Sequence, residues 1–166
     1  TGLAKSHRGT FNMTRSDDLV AHCIDALLAR NPQLDPGQVD DVVLGCGRQI
    51  GEQSGNVARH AVALSQLPIT VPATTISRAC SSGLNSIAIA ATQIASGCAE
   101  IMLAGGVESI TGLSRGTPGE FAENPRLMSE KPDMYMAMGN TAEVVARRYQ
   151  VTREAQDAYA LSSQQR

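Results

Sequence analysis

From Ser81 to Cys98 the chain carries no charged residue. Within that stretch Leu84, Ile87, Ala88, Ala91, Ile94, Ala95 and Cys98 recur at helical spacing along one face, and the opposite face holds Ile89, Ala90 and Thr92. A helix apolar nearly all round is one buried on all sides, so the pattern predicts a helix at the centre of the fold, stopped at Gly97. Two short runs suited to strands flank it. Residues 72–78 are rich in β-branched side chains, and residues 100–106 end in a Gly-Gly turn. Strand, helix, strand in that order implies a parallel βαβ unit.

The other elements follow from the same reading. Leu19, Cys23, Ala26 and Leu27 give Ser16 to Arg30 a helical period, with Ser16 as N-cap, Asp17 and Asp18 in the first turn, and Asn31-Pro32 as the stop. Asp41 to Gly47 is a short apolar run bounded by acids and glycines, which fits a buried parallel strand. Residues 56–64 read as a helix, as do residues 140–149, and Thr152 opens a last one. Between 108 and 138 the chain is long and irregular, the kind of loop that is usually functional or forms an interface.

Lysine and arginine number 14 against 16 aspartates and glutamates, so no global positive field exists to hold a nucleic-acid backbone. The longest apolar runs, such as 87–91, fall far short of a bilayer span, and a soluble cytoplasmic protein without a membrane partner is expected. Cysteines at 23, 46, 80 and 98 form no Cys-x-x-Cys pair, which points to free thiols without a metal. A chain that starts at Thr1 and stops at Arg166 inside a helical pattern reads as a piece of a longer one.

Chemistry concentrates where the second strand turns through small residues into the uncharged helix, at Ser77-Arg78-Ala79-Cys80-Ser81-Ser82-Gly83. A thiol at that elbow sees the positive end of the helix dipole and unpaired backbone N–H groups, which favour the thiolate and can receive a tetrahedral oxyanion. The plain alternative is a small buried hydrophobe, the commonest state of intracellular cysteines. Cys23 and Cys98, on apolar helix faces, are expected in the core, and Cys46 has no assigned role. His7, His22 and His60 read as surface or packing histidines rather than bases.

Those seven residues resemble the acylated-cysteine signature of the thiolase family, the acetyl-CoA acetyltransferases and 3-ketoacyl-CoA thiolases. In chain order, Asn56-Val57-Ala58-Arg59, Gly105-Gly106-Val107-Glu108-Ser109, Met138-Gly139-Asn140-Thr141-Ala142-Glu143 and Arg153-Glu154-Ala155-Gln156-Asp157 resemble further family segments. The resemblance implies an α/β fold. It is one βαβ-based half of a five-layered α/β/α/β/α sandwich, with residues 1–107 as core, 108–138 as a loop excursion and 139–166 as helices returning to it, the first strand and second half lying outside the chain. It implies acyl transfer through an acyl-cysteine at Cys80, with acyl-CoA and CoA as substrates, no separate cofactor, and a homodimer or tetramer. Met138 matches a position lining the acyl and pantetheine end of the pocket, or is a flexible, gap-filling core side chain. Glu108 is expected to be a buried acid that fixes the active-site turn rather than an exposed turn residue, and Asn56 and Arg59 to serve scaffold and interface. Arg115, Arg126 and Lys131 are either CoA-phosphate contacts or solvated loop residues. The family's Asn-x-His-Gly and Cys-x-Gly-x-Gly motifs, which bring the catalytic histidine and the second cysteine, are absent here. A β-ketoacyl synthase-type condensing enzyme and a non-catalytic acyl-CoA- or lipid-binding relative are the alternative readings.

Overall fold

A computed structural model describes residues 9–110 and 123–166, each stretch lying in its own compact unit. In the first unit α1 (Ser16–Arg30), β1 (Asp41–Gly45), α2 (Val57–Leu64), β2 (Ala73–Ile76), α3 (Ser82–Ala95) and β3 (Met102–Gly106) follow one another. The three strands are all parallel in the order β2-β1-β3, with Val42 opposite Ala73 on one side and Leu103 on the other. The expected βαβ unit is present, with β1 inserted between its two strands.

Alternation along β1 decides what lies on each face of the sheet. Val42, Leu44 and Cys46 join Val20, Ile24 and Leu28 of α1 and Val57, Ala58, Ala61 and Val62 of α2 in one buried cluster. Val43 points to the other face, where α3 packs on β1 and β3. The sheet is tied at its entry by Asp40, whose Oδ2 accepts from the N–H groups of Glu100 (2.7 Å) and Ile101 (3.0 Å). Those two bonds hold its carboxyl below the usual carboxylate range. Asn56, the left-handed N-cap of α2, donates from Nδ2 to the Ala73 carbonyl and accepts through Oδ1 from Arg59 N–H and the Thr75 hydroxyl. Arg59 in turn donates to the Val71 and Ile69 carbonyls. Both residues therefore hold α2 against β2 and its approach.

Expectations for two helices are corrected. α1 buries Val20, Ala21, Ile24 and Leu28, whereas Cys23 and Leu27 are exposed. Nearly every position from 19 to 28 is apolar, so spacing alone allowed two faces, and packing against α2 selected the other one. Ser16 is the first helical residue rather than the cap, its hydroxyl facing Glu52, and Arg15 precedes it in an extended conformation with a two-pronged ion pair to Asp17. The second correction concerns α3. Its buried stripe is Ser82, Ser86 and Ala90, while Leu84 and Ile87 are 72% and 52% exposed and Cys98 beyond the helix is exposed. The sheet takes up the small residues because the helix comes very close to it, and within the described residues of the first unit no element covers the face bearing the large aliphatics. Gly97, in the left-handed region at φ 76°, does end the helix as expected.

The second unit holds α4 (Pro125–Glu130), a 3₁₀ turn at Pro132–Tyr135, α5 (Met138–Arg148) and α6 (Arg153–Gln165). Asn124 Oδ1 caps α4 by accepting from the N–H groups of Arg126 and Leu127, and Thr152 caps α6 by accepting from Ala155 N–H. The last part of the segment expected to be irregular is thus locally helical. Residues 111–122 of it lie outside the described residues.

The contact between sheet and α3 is so close that a Cβ on Gly45 would sit 2.3 Å from the Ser82 carbonyl carbon and 2.5 Å from Gly83 N. Backbone atoms cannot yield as side chains do. Gly45→Ala in the full-length protein is expected to destabilise by about 3 kcal/mol, the upper end of overpacking costs, read as a lowered denaturation midpoint. An unchanged midpoint would contradict this account of the packing.

Candidate active site

β2 ends at Ile76 and α3 begins at Ser82, so the chain must reverse within five residues. Ala79 makes this possible by adopting the left-handed conformation, φ 47°, which costs an alanine roughly 1–2 kcal/mol. Ser82 secures it. Its Oγ accepts from Arg78 N–H at 2.8 Å and donates to the Ala79 carbonyl at 2.6 Å, closing both ends of the turn around one buried oxygen. Ser81 Oγ donates to the Arg78 carbonyl at 2.9 Å, and the N–H groups of Ser81 and Ser82 bond back to Arg78 and Ala79. With its neighbours bonded in this way, the turn leaves the Cys80 side chain exposed two residues before the N-terminus of α3.

Cys80 opens onto a cleft of about 740 Å³ at the C-terminal ends of the parallel strands, the position at which open α/β sheets bind ligands. Gly45, Gly47 and Gly106 form the strand-end wall, and Ala79, Ser82 and Gly83 form the elbow wall beside the thiol. A Cβ on Gly47 would lie 2.9 Å from Glu108 Oε2 and 3.1 Å from the Ala79 carbonyl oxygen, so bare backbone is what lets these walls meet.

A clasp fixes the floor. Glu108, just past β3, accepts from Gly47 N–H through Oε2 at 2.7 Å and from Gln53 Nε2 through Oε1 at 2.8 Å. Gln53, fully buried, also donates to the Arg48 carbonyl at 2.7 Å and accepts from Ser109 N–H. Glu108 is exposed rather than buried as expected, and its two bonds tie the Gly47 turn to Gln53.

Comparison with known proteins agrees along the whole chain: residues 1–166 match the thiolase N-terminal domain. The chain belongs to the thiolase family. It is 43% identical to the 3-ketoacyl-CoA thiolase of Bacillus subtilis (strain 168), covering 99% of this chain and 42% of that relative. It is 42% identical to the beta-ketoadipyl-CoA thiolase of Pseudomonas knackmussii over 95% of this chain and 43% of that protein. The crystal structure of the Bacillus anthracis acetyl-CoA acetyltransferase superposes with a TM-score of 0.75 at 32% identity, covering 94% of this chain and 42% of that one. The chain thus has the fold of a thiolase N-terminal half and spans less than half the length of these thiolases.

Within this thiolase half the sequence-derived residues separate. Cys80 lies in the cleft. Met138 is the first residue of α5 in the second unit, 68% exposed there. His22 and His60 are exposed on α1 and α2, and His7 and Arg115 lie outside the described residues. Arg126 pairs with Glu130 along α4 at 2.7 Å, and Lys131 is exposed at its end. Cys23 and Cys98, expected in the core, are at the surface. Sequence reasoning missed Gln53, whose burial no periodicity announces, and the bridging oxygen of Ser82.

Cys46 is the thiol that is buried, 1% exposed. Loss of solvation, reinforced by the negative charge of Glu108 Oε1 at 4.0 Å, pushes it up to about 11, offset only in part by a hydrogen bond with the Arg48 backbone. A thiol with a raised pKa stays protonated below it, so Cys46 is inert through the neutral range. Native protein treated with iodoacetamide at pH 8 and digested is expected to carry label on Cys80 and none on Cys46, with Cys46 becoming reactive only as pH approaches about 11. Labelling of Cys46 at pH 8 as fast as an exposed thiol would refute the assignment.

Proposed function

We propose that this chain is the nucleophile-bearing half of a thiolase that forms and breaks the carbon–carbon bond of 3-ketoacyl-CoA through an acyl-cysteine at Cys80. The observation that carries the reading is an exposed thiol held on a left-handed, hydrogen-bonded elbow at the head of α3, facing the strand-end cleft.

In the thiolytic direction the Cys80 thiolate attacks the 3-keto carbon. The resulting oxyanion is received by the backbone N–H of Cys80 as part of an oxyanion hole. Collapse breaks the bond between the second and third carbons. The electron pair leaves on the acetyl-CoA fragment, which takes a proton there, and the acyl group stays on Sγ. CoA thiolate then attacks that thioester, releasing an acyl-CoA shortened by two carbons and restoring the Cys80 thiolate. The reverse sequence joins two acetyl groups into acetoacetyl-CoA. A covalent thioester divides one difficult exchange into two easier ones. The groups that move protons are assigned to residues outside this chain.

The remainder of the proposal is coarser. CoA thioesters enter as substrates with no further cofactor, Met138 serves the acyl and pantetheine end of the substrate in the full-length enzyme, and the enzyme works as a homo-oligomer in the cytoplasm. Among the described residues, no helix is long and apolar enough to cross a membrane.

Incubating the full-length protein with acetyl-CoA and mapping the digest by mass spectrometry is expected to place one acetyl group on Cys80. Cys80→Ser is expected to abolish that adduct and to lower thiolysis by at least about a thousandfold, the scale on which lost nucleophiles are felt. An adduct on another residue, or turnover that survives the substitution, would overturn the reading.

A further inference from the structure

Among the described residues Gln53 is the largest side chain that is fully buried, in a place where a methionine would fill much the same space with no amide to satisfy. The amide is bonded on every side. Nε2 donates to the Arg48 carbonyl at 2.7 Å and to Glu108 Oε1 at 2.8 Å, and Oε1 accepts from Ser109 N–H. Two of these three partners, Arg48 and Glu108, belong to the residues that line the Cys80 cleft. The bonds therefore serve the rim of the cleft rather than the core behind it.

From Gln53 the constraint reaches the elbow through one residue. Glu108, held by Gln53 at Oε1, accepts from Gly47 N–H at Oε2, 2.7 Å away, and the Gly47 carbonyl accepts from the Ser77 hydroxyl at 3.3 Å. Gly47 is thus bonded on one side to the clasp and on the other to the residue that follows β2. It lies against the Ala79 carbonyl, so close that a Cβ on it would stand 3.1 Å from that oxygen. The same oxygen accepts from Ser82, through Oγ at 2.6 Å and N–H at 3.1 Å. It belongs to the peptide that joins Ala79 to Cys80. That peptide is planar and trans, so the Cys80 N–H points away from the carbonyl, and whatever fixes the one aims the other. Among the described residues the Cys80 N–H donates no hydrogen bond, whereas those of Arg78, Ser81 and Ser82 are each taken.

We propose that Gln53 is a positioning residue for acyl transfer: through Glu108 and Gly47 it braces the peptide between Ala79 and Cys80, and so aims the Cys80 N–H at the oxyanion that forms when Sγ adds to a carbonyl. The inference rests on Cys80 being the acyl acceptor with its N–H as an oxyanion donor, and adds the residue that sets the direction of that donor. It separates two reactions of one thiol. With iodoacetamide, Sγ forms a bond to carbon as iodide leaves, no oxyanion develops, and only the thiolate is needed. With acetyl-CoA, Sγ adds to the carbonyl, the oxyanion collapses and CoA thiolate leaves, so both the thiolate and the aimed N–H are needed.

The test compares the two reactions in the full-length enzyme carrying Gln53→Met, which keeps the bulk and removes all three bonds. Single-turnover acylation of Cys80 at saturating acetyl-CoA is expected to slow by about tenfold to a hundredfold, the scale of a displaced oxyanion donor. The acetyl-CoA concentration giving half the maximal rate is expected to stay within about twofold of the wild type, since the interaction is made in the transition state. Alkylation of Cys80 by iodoacetamide is expected to proceed no more slowly than in the wild type. Glu108→Ala, which removes the link between Gln53 and Gly47 at an exposed position, is expected to show the same split, and it carries the test if Gln53→Met does not fold. Acylation at the wild-type rate in a folded variant, or acylation and alkylation slowed by the same factor, would overturn the proposal. The wild type keeps the two readings apart: if its Cys80 is acetylated and the variants show no split, the role of Gln53 alone falls, and if its Cys80 is not acetylated, the acyl-acceptor reading falls and takes this one with it.

Discussion

One buried hydroxyl holds the turn on which the site depends. Ser82 Oγ accepts a hydrogen bond from the amide entering the elbow and donates one to the carbonyl of Ala79, so a backbone conformation that an alanine ordinarily avoids becomes the stable one. The consequences run outward. With Ala79 left-handed, α3 starts at once, and its first turn is carried close over the ends of β1 and β3. Gly45 is bare there because a Cβ would collide with the Ser82 and Gly83 backbone, and one on Gly106 would crowd the Gly45 carbonyl and the Gly83 Cα. Ser86 extends the seam, its hydroxyl lying 2.6 Å from the Gly105 carbonyl and 2.7 Å from that of Gly83. Small residues on the helix and glycines on the strands form one continuous contact, and the thiol stands at its open end.

The two cysteines near this contact show how environment divides roles between identical side chains. Cys46 continues β1 into the core, loses its water, and faces a carboxylate, and both effects favour the protonated thiol. Cys80 is lifted out of the core by the elbow and stands two residues before the N-terminus of α3, the positive end of that helix's dipole. The Glu108–Gln53 clasp serves both. It carries the charge that keeps Cys46 neutral, and it holds Gly47 against the Ala79 carbonyl so that the cleft keeps its shape.

Much of this was legible in the sequence. The β1, β2 and β3 runs, the positions of α1, α2 and α3, and the Cys80 elbow all follow from hydrophobic period, β-branching and a cluster of small residues, because each is a local property. Side-chain facing was less legible. In α1 the apolar residues are so dense that the period does not distinguish Cys23 and Leu27 from Val20 and Ile24, and only packing against α2 does. In α3 the absence of charge read as burial all round, yet Ser82, Ser86 and Ala90 make the seam while Leu84 and Ile87 point away from the sheet. A serine on a buried stripe looks polar in a sequence and behaves as a small residue with a backbone bond in the structure. Gln53 and Glu108, far apart in the chain, meet only through the fold, so no local pattern announced their clasp.

The central claim is that the elbow, and not merely the presence of a cysteine, confers reactivity, and Ser82→Ala isolates it. The measurement is the rate of Cys80 acylation by acetyl-CoA in a single turnover of the full-length enzyme, with the denaturation midpoint recorded alongside. Loss of the bridging oxygen is expected to slow acylation by at least about tenfold, the equivalent of one well-placed hydrogen bond, in a protein that remains folded. Acylation at the wild-type rate in a folded Ser82→Ala enzyme would contradict the account.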